Sequence, residues 1–416
     1  MKSKKVAAFA AAAAAVALAL SGCAPTNGNS SSDVTLRVLS YTFDKVPNIF
    51  DTFTKETGIK VKLEQVASDQ YPTILQSRVA AKTDLDLINL RGGSEFNKYA
   101  KAKTFADIKD ASFLKNVSGG AVENGKFNGT SYGYSIGTYT VGVYYNTDLF
   151  KKLGISVPTN WDEFAKAADT IRGKGDGVAP ISASAGDSWT GQYFYHNAIA
   201  AFAKENPTFM ADLKTGKATW ANNTPFVKQL ERFSTLVKSG DFITGAQSLK
   251  FADAQAAFGS GKAAMWLMGS WGLSGLTAAG FTPGSFALPI NSAGQPVSVA
   301  SSLSDNIVGM TSWTKHPKEA AKLLEWMTSK EFGQAFQKGE GVKSTVISGV
   351  NATYSPYQKD WDALFPNSTP FPPDLGPTVN GDGPAVVGDI LAGTLTPEAA
   401  VAKFQALQNA DNKTGY

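Results

Sequence analysis

Between residues 34 and 90 the apolar positions change period four times, and this alternation constrains the fold more than any other feature of the chain. Val34, Leu36 and Val38 alternate as in a strand. Val46, Ile49, Phe50 and Phe53 then recur at helical spacing until Gly58 offers a C-cap. Ile59, Val61 and Leu63 alternate again, and a second helix starts near Tyr71, with Pro72 in its first turn and Ile74, Leu75 and Val79 on one face. Residues 85–90 (LDLINL) read as a buried strand. Strands that alternate with helices predict an α/β fold with a largely parallel sheet, whose loops at the carboxyl ends of the strands gather into a ligand crevice. Those loops begin near Tyr41, Asp69 and Arg91.

Further along, residues 139–145 (YTVGVYY) form another strand, and Thr159 is placed to cap a helix that carries Trp161, Phe164, Ala168 and Ile171 inward. Phe226, Leu230, Phe233 and Val237 mark a helix ending at Gly240. Ala320, Leu323, Leu324 and Met327 mark one after Pro317. Thr396-Pro397-Glu398 is a cap, a proline and a first-turn acid, opening a terminal helix with Ala400, Phe404 and Leu407 inward. Residues 366–377 hold five prolines and are expected to form a shaped loop.

The N-terminus reads as an export signal. Lys2, Lys4 and Lys5 precede an apolar run over residues 6–20, whose 15 residues are too few to span a bilayer. Leu20-Ser21-Gly22-Cys23 follows and contains the only cysteine of the chain, so disulfides, thiolate metal sites and a cysteine nucleophile are excluded. Residues 24–33 (APTNGNSSSD) have the composition of a flexible tether. Without residues 1–22 the chain has 394 residues, more than one compact core accommodates, and 36 basic against 35 acidic side chains, which offers nothing to a nucleic acid. The two histidines, His196 and His316, are far apart in sequence, a poor basis for a metal site or a histidine-dependent triad.

Leu20-Ser21-Gly22-Cys23 resembles the lipobox of bacterial lipoproteins, which implies cleavage before Cys23, a diacylglycerol on its thiol and attachment to the outer face of the cell membrane. Residues 125–171 resemble the extracellular solute-binding proteins of sugar-importing ABC transporters. The resemblance is carried by Gly133-Tyr134, by Tyr144-Tyr145-Asn146 with Asp148-Leu149-Phe150, by Gly154-Ile155 and by the run from Pro158 through Trp161 to Phe164. Two further blocks match: Phe258-Gly259-Ser260-Gly261-Lys262-Ala263-Ala264-Met265 with Gly269-Ser270-Trp271, and Lys315-His316-Pro317-Lys318-Glu319-Ala320-Ala321.

The resemblance implies a two-lobed, periplasmic-binding-protein-like (type II) α/β fold hinged around a cleft. Residues 34–140 and 300–345 would form one lobe, and residues 141–299 and 346–416 the other. Crossings between the lobes are expected at residues 139–145, at residues 297–309 and near Gly341. The implied role is that of a monomeric receptor that closes on a mono- or short oligosaccharide and presents it to an ABC permease, with no catalytic residue, metal or cofactor.

A sugar ring has an apolar C–H face and a rim of hydroxyls, so its sites pair aromatic plates with carboxylates, amides and guanidinium groups. Trp271 matches the family position of a sugar-stacking tryptophan, and Asp305 resembles positions that line the closed cleft. Trp189 and Tyr193 lie in a polar, glycine-bearing loop. Arg91 and Gly92 follow a buried strand, and Tyr41 and Asp69 are candidates from topology. Two rivals come from other classes. A glycoside hydrolase needs a pair of carboxylates flanking the scissile bond, for which no local motif is visible. A receptor of the same fold for a non-sugar solute, such as a metal, polyamine, peptide or phosphate, is the other; a ferric-ion receptor could use paired tyrosines, but in a strand Tyr144 and Tyr145 point to opposite faces.

Overall fold

The computed structural model describes residues 34–415 apart from residues 69, 277, 373 and 374. The expected signal, the tether, Cys23 and Asp69 therefore lie outside the described residues. The described residues form twelve strands: β1 (Thr35–Ser40), β2 (Lys60–Gln65), β3 (Leu87–Leu90), β4 (Lys126–Phe127), β5 (Thr130–Ser131), β6 (Tyr134–Asn146), β7 (Ala179–Ser182), β8 (Ala263–Gly269), β9 (Pro283–Phe286), β10 (Ser301–Met310), β11 (Lys343–Ser344) and β12 (Thr369–Pro370). Ten of them form one sheet with the central order β2-β1-β3-β10-β6-β8-β7, while β4 and β5 pair as a separate ribbon.

The sheet is mixed. Parallel pairing holds at the two ends, β1 with β2 and β3, and β7 with β8, where helical crossovers connect neighbours. In the middle β10 runs antiparallel to β3 and β6, and β6 antiparallel to β8. The largely parallel sheet expected from the early alternation thus stops where the chain crosses. β6 carries the chain one way and β10 brings it back, so the two must run in opposite senses. β11 adds a third strand to this crossing, with Lys343 opposite Thr138.

The apolar core is divided into two lobes strung on these strands. Leu36, Val38, Phe53, Ile136, Val308, Leu323 and Phe336 pack together, joined by a cluster around Leu39, Tyr71, Leu90, Phe96 and Ile307. A second core holds Val143, Phe164, Ile181, Phe226, Leu230, Ile390 and Phe404, beside a cluster of Val141, Tyr144, Phe258, Trp266 and Trp361. β6 supplies Ile136 to the first core and Val141 and Val143 to the second. Long strands shared by two cores permit the cores to rotate as bodies about the crossing.

Several local expectations are revised. The helix predicted from Val46 begins at Asp51, because Pro47 and the turns before it break the first part of the pattern, and it ends on Gly58 as expected. The cap of the helix Trp161–Lys174 is Asn160, whose Oδ1 accepts from the Glu163 N–H, while Thr159 binds the Glu163 carboxylate from one residue further out. Within the proline-rich stretch Thr369 and Pro370 pair with β10. Pro377 opens a helix, Pro377–Leu391, that tolerates Pro384 in its interior and packs against the terminal helix Pro397–Thr414.

Candidate functional site

Two clusters of functional side chains form where the strands of the two lobes end. In the first, the parallel strands β1 and β3 release the chain at the same edge, at Tyr41 and at Arg91 and Gly92. Gly93 then takes φ +66°, a backbone state open to glycine, and turns the chain into the helix Ser94–Lys101. The Arg91 guanidinium lies 4.6 Å over the Tyr41 ring, donates to Ser68 O at 3.0 Å and pairs with Glu95 at 3.5 Å. The Gly92 N–H donates to Asp305 Oδ1 at 2.7 Å, and the Tyr41 hydroxyl reaches Asp305 Oδ2 at 3.5 Å.

Electrostatically the cluster is a cation held between two carboxyls. Burial raises the affinity of Asp305 for a proton, opposed by the Gly92 N–H and by Arg91. Burial likewise pushes Glu95 up against the pull of Arg91, and Glu95 Oε1 has no partner among the described residues. For Arg91 burial works against the charge, but Tyr41, Glu95 and Asp305 outweigh it and hold its proton more firmly than usual.

The second cluster is aromatic. Trp271 follows the end of β8, Trp189 and Tyr193 lie on the 3-10 turn Ser188–Phe194, and Tyr139 projects from β6. The Trp271 ring is 5.3 Å from Tyr139, 5.3 Å from Tyr193 and 6.5 Å from Trp189, at inclined or edge-on angles. Its position depends on Gly269: a Cβ there would fall 1.9 Å from Trp271 Cζ3. Trp271 is half-buried and packs against core residues of both lobes, whereas Trp189 is 38% exposed and Tyr193 is buried.

The two clusters face each other. Burial is the main cause that pushes the Tyr193 hydroxyl up, with Asp305 next, and Arg91 acts on it in the opposite sense. Tyr139 is raised by burial and then by Asp305. Asn306 joins the two sides: its Oδ1 accepts from Thr42 Oγ1 at 2.8 Å and its Nδ2 donates to the Tyr139 hydroxyl. Polar contacts close the rims, with Lys45 Nζ donating to Ser274 Oγ at 2.7 Å and Asn380 Nδ2 to Ser94 Oγ at 3.4 Å. Aromatic faces on one wall and a guanidinium with carboxylates on the other suit a ligand that is apolar on its faces and polar on its rim.

Seven of the eight residues expected to bind ligand are therefore placed in these facing clusters: Tyr41, Arg91, Gly92 and Asp305 on one wall, and Trp189, Tyr193 and Trp271 on the other. Asp69 lies outside the described residues. Sequence reasoning missed Tyr139, Glu95 and Asn306. The period of two in YTVGVYY sets Tyr139 on one face of its strand, but only the neighbouring lobe makes that face a wall of the cleft. Tyr144 and Tyr145 do separate, Tyr144 into the cluster with Trp266 and Trp361 and Tyr145 against Phe150 and Phe286. Among the described residues no group of three or more His, Cys, Asp or Glu side chains could hold a metal ion, and no helix is long and apolar enough to cross a membrane.

Comparison with known proteins agrees with this geometry. A multiple sugar-binding protein of Streptococcus mutans is 24% identical over 307 residues, 73% of this chain and 72% of its own. A chitin oligosaccharide binding protein of known structure superposes with a TM-score of 0.79 at 25% identity, covering 91% of this chain and 99% of the other. RafE, a solute-binding protein solved in complex with raffinose, gives 0.75 at 25% identity, with 91% and 100% covered. The family model for bacterial extracellular solute-binding proteins matches residues 42–334, most of the described chain, and the protein belongs to that family.

Proposed function

We propose that this protein is the extracytoplasmic receptor of an ABC importer, and that it binds a mono- or short oligosaccharide between its lobes and passes it unchanged to the permease. The observation that carries the reading is the half-buried Trp271 ring, set among Tyr139, Tyr193 and Trp189 and opposite the Arg91, Glu95 and Asp305 cluster. That pairing supplies a plate for the C–H face of a sugar and charged partners for its hydroxyls. The names of the similar proteins, which specify multiple sugars, chitin oligosaccharide and raffinose, support the same ligand class.

In this reading Cys23 carries the lipid that holds the receptor on the outer face of the membrane, residues 23–33 are its tether, and the receptor acts as a monomer. Residues 34–140 with 300–345, and 141–299 with 346–416, form the two moving lobes, a division supported by the separate cores that share β6. Asp69 belongs to the site on chain position alone. A thermal-shift screen of residues 24–416 against saccharides, amino acids, polyamines and metal ions tests the proposal. A ligand at about 100 times its dissociation constant adds roughly 2.7 kcal/mol, enough to raise Tm visibly. A shift with saccharides is expected. A shift confined to another class would sink the sugar reading.

A further inference from the structure

Beyond Trp271 the two lobes enclose a second space. A cavity of about 310 Å³ lies between Lys45 and Lys338 on one side and Phe251, Gln255, Ser274 and Tyr354 on the other. Its volume is at the lower end of small-molecule sites, roughly 300 to 1,000 Å³. The walls come from different cores, so the space is complete only while the lobes meet, and an occupant that touches both sides favours the closed arrangement.

The cavity borders the aromatic cluster. Ser274, in its wall, donates to the Trp271 carbonyl at 3.1 Å. Phe251 stands 5.7 Å from Trp189, Trp189 6.5 Å from Trp271, and Trp271 5.3 Å from Tyr139. Four rings in short steps thus lead from the outer cavity to the wall opposite Asp305.

The lining chemistry narrows the occupant. Phe251 and Tyr354 offer ring surface, and the Tyr354 hydroxyl is already engaged with Asp362 at 3.1 Å. Gln255 spends its Nε2 on the Gly272 carbonyl at 2.9 Å, which leaves its Oε1 as an acceptor. Lys45 uses one of its three ammonium donors on Ser274, and Lys338 forms no ion pair among the described residues. Carboxyl groups stand behind the Lys45 side of the cavity: Glu340 accepts from the Lys45 backbone N–H at 3.4 Å and Asp44 stands beside it. Ring surface from Phe251 and Tyr354, a free acceptor on Gln255 and lysine donors fit a ring with an apolar face and a rim of hydroxyls, whereas a phosphate would find no use for the rings or for the acceptor.

We propose that this cavity is an outer subsite that takes a further ring of an oligosaccharide whose inner ring rests on Trp271, so that the receptor selects an oligosaccharide over a monosaccharide. The inference rests on the sugar-binding reading above and is tested separately from it. Calorimetric titrations of residues 24–416 would use chitin and xylan oligosaccharides, each from monomer to pentamer, with Lys338→Ala and Gln255→Ala as variants. Wild-type affinity is expected to climb with chain length and then level off. Each variant should lower affinity about tenfold for the long oligomers that reach the cavity, while short oligomers bind as to wild type. An equal loss at every length, or a wild type indifferent to length, overturns the outer subsite while leaving sugar binding intact. Failure of the wild type to bind either series, together with no shift from any saccharide in the thermal screen, overturns the underlying reading instead.

Discussion

The backbone N–H of Gly92 donates to the carboxylate of Asp305 at 2.7 Å, joining two residues 213 positions apart. The bond ties the loop after β3 to the strand that carries the chain back between the lobes, so it fixes a wall of the cleft at its hinge. Removing the carboxylate should strand the Gly92 donor as well as delete a ligand partner. Asp305→Ala is expected to lower saccharide affinity by about tenfold to a hundredfold, since hydrogen bonds to charged groups contribute roughly 1.5–3 kcal/mol. Unchanged affinity in a calorimetric titration would remove Asp305 from the site.

Trp271 should be sensitive to its own substitution and to that of the glycine beneath it. Trp271→Ala is expected to abolish most affinity while ligand-free Tm stays near wild type, because the ring is only half-buried. Gly269→Ala keeps the tryptophan but places a Cβ where its six-membered ring lies. The variant should weaken binding about as strongly as the direct truncation, with intrinsic fluorescence reporting a displaced indole. Full affinity in Gly269→Ala would show that the observed ring position is not the binding one.

Asn306 occupies the left-handed region, φ +56°, within a crossing strand and is buried. Its hydrogen bonds to Thr42 and Tyr139 hold that conformation. Asn306→Gly loses both bonds but accepts the backbone, whereas Asn306→Ala also meets the Cβ penalty of about 1 kcal/mol. Urea denaturation should rank stability as Asn, then Gly, then Ala. An alanine variant at least as stable as the glycine variant would contradict the left-handed backbone.

Two buried groups should give opposite pH slopes. Burial, then Asp44, raises Glu340 from 4.5 to about 7, against the pull of Lys45. Between those values the folded protein keeps a proton that the unfolded chain has lost, so stability falls as pH rises. His196 stacks on Phe371 at 3.8 Å, has no partner for either ring nitrogen among the described residues, and is lowered by burial from 6.5 to about 3. There the unfolded chain holds the extra proton, so stability falls as pH drops below 6.5. In chemical denaturation Glu340→Gln should gain on wild type as pH rises from about 5 to 8, and His196→Phe as it falls from about 7 to 4, each by about 1 kcal/mol per pH unit. A flat difference for either variant would mean that its group titrates normally.

The fold was legible where one local signal sufficed. Alternation at Val34, Leu36 and Val38, the C-cap at Gly58 and the cap at Thr396 each rest on neighbouring residues, and each element formed there. The helix Pro377–Leu391 was not legible, because its proline and glycine content argues against a helix until packing on the terminal helix stabilises it. Asn160 rather than Thr159 became a cap for a similar reason: two adjacent residues had suitable side chains, and backbone geometry chose between them.

By itself the sequence determined the α/β alternation, the absence of disulfide chemistry and the residue types available for a ligand, since these follow from composition and from periods read along one segment. Only the tertiary structure decided that Tyr41, Arg91 and Asp305 share one wall with Glu95, that Tyr139 faces Trp271, and that Lys45 and Lys338 meet Gln255 and Tyr354 across a cavity. Such contacts join residues far apart in the chain. Their distances are set by how β6 and β10 carry two cores past each other, which no local period records.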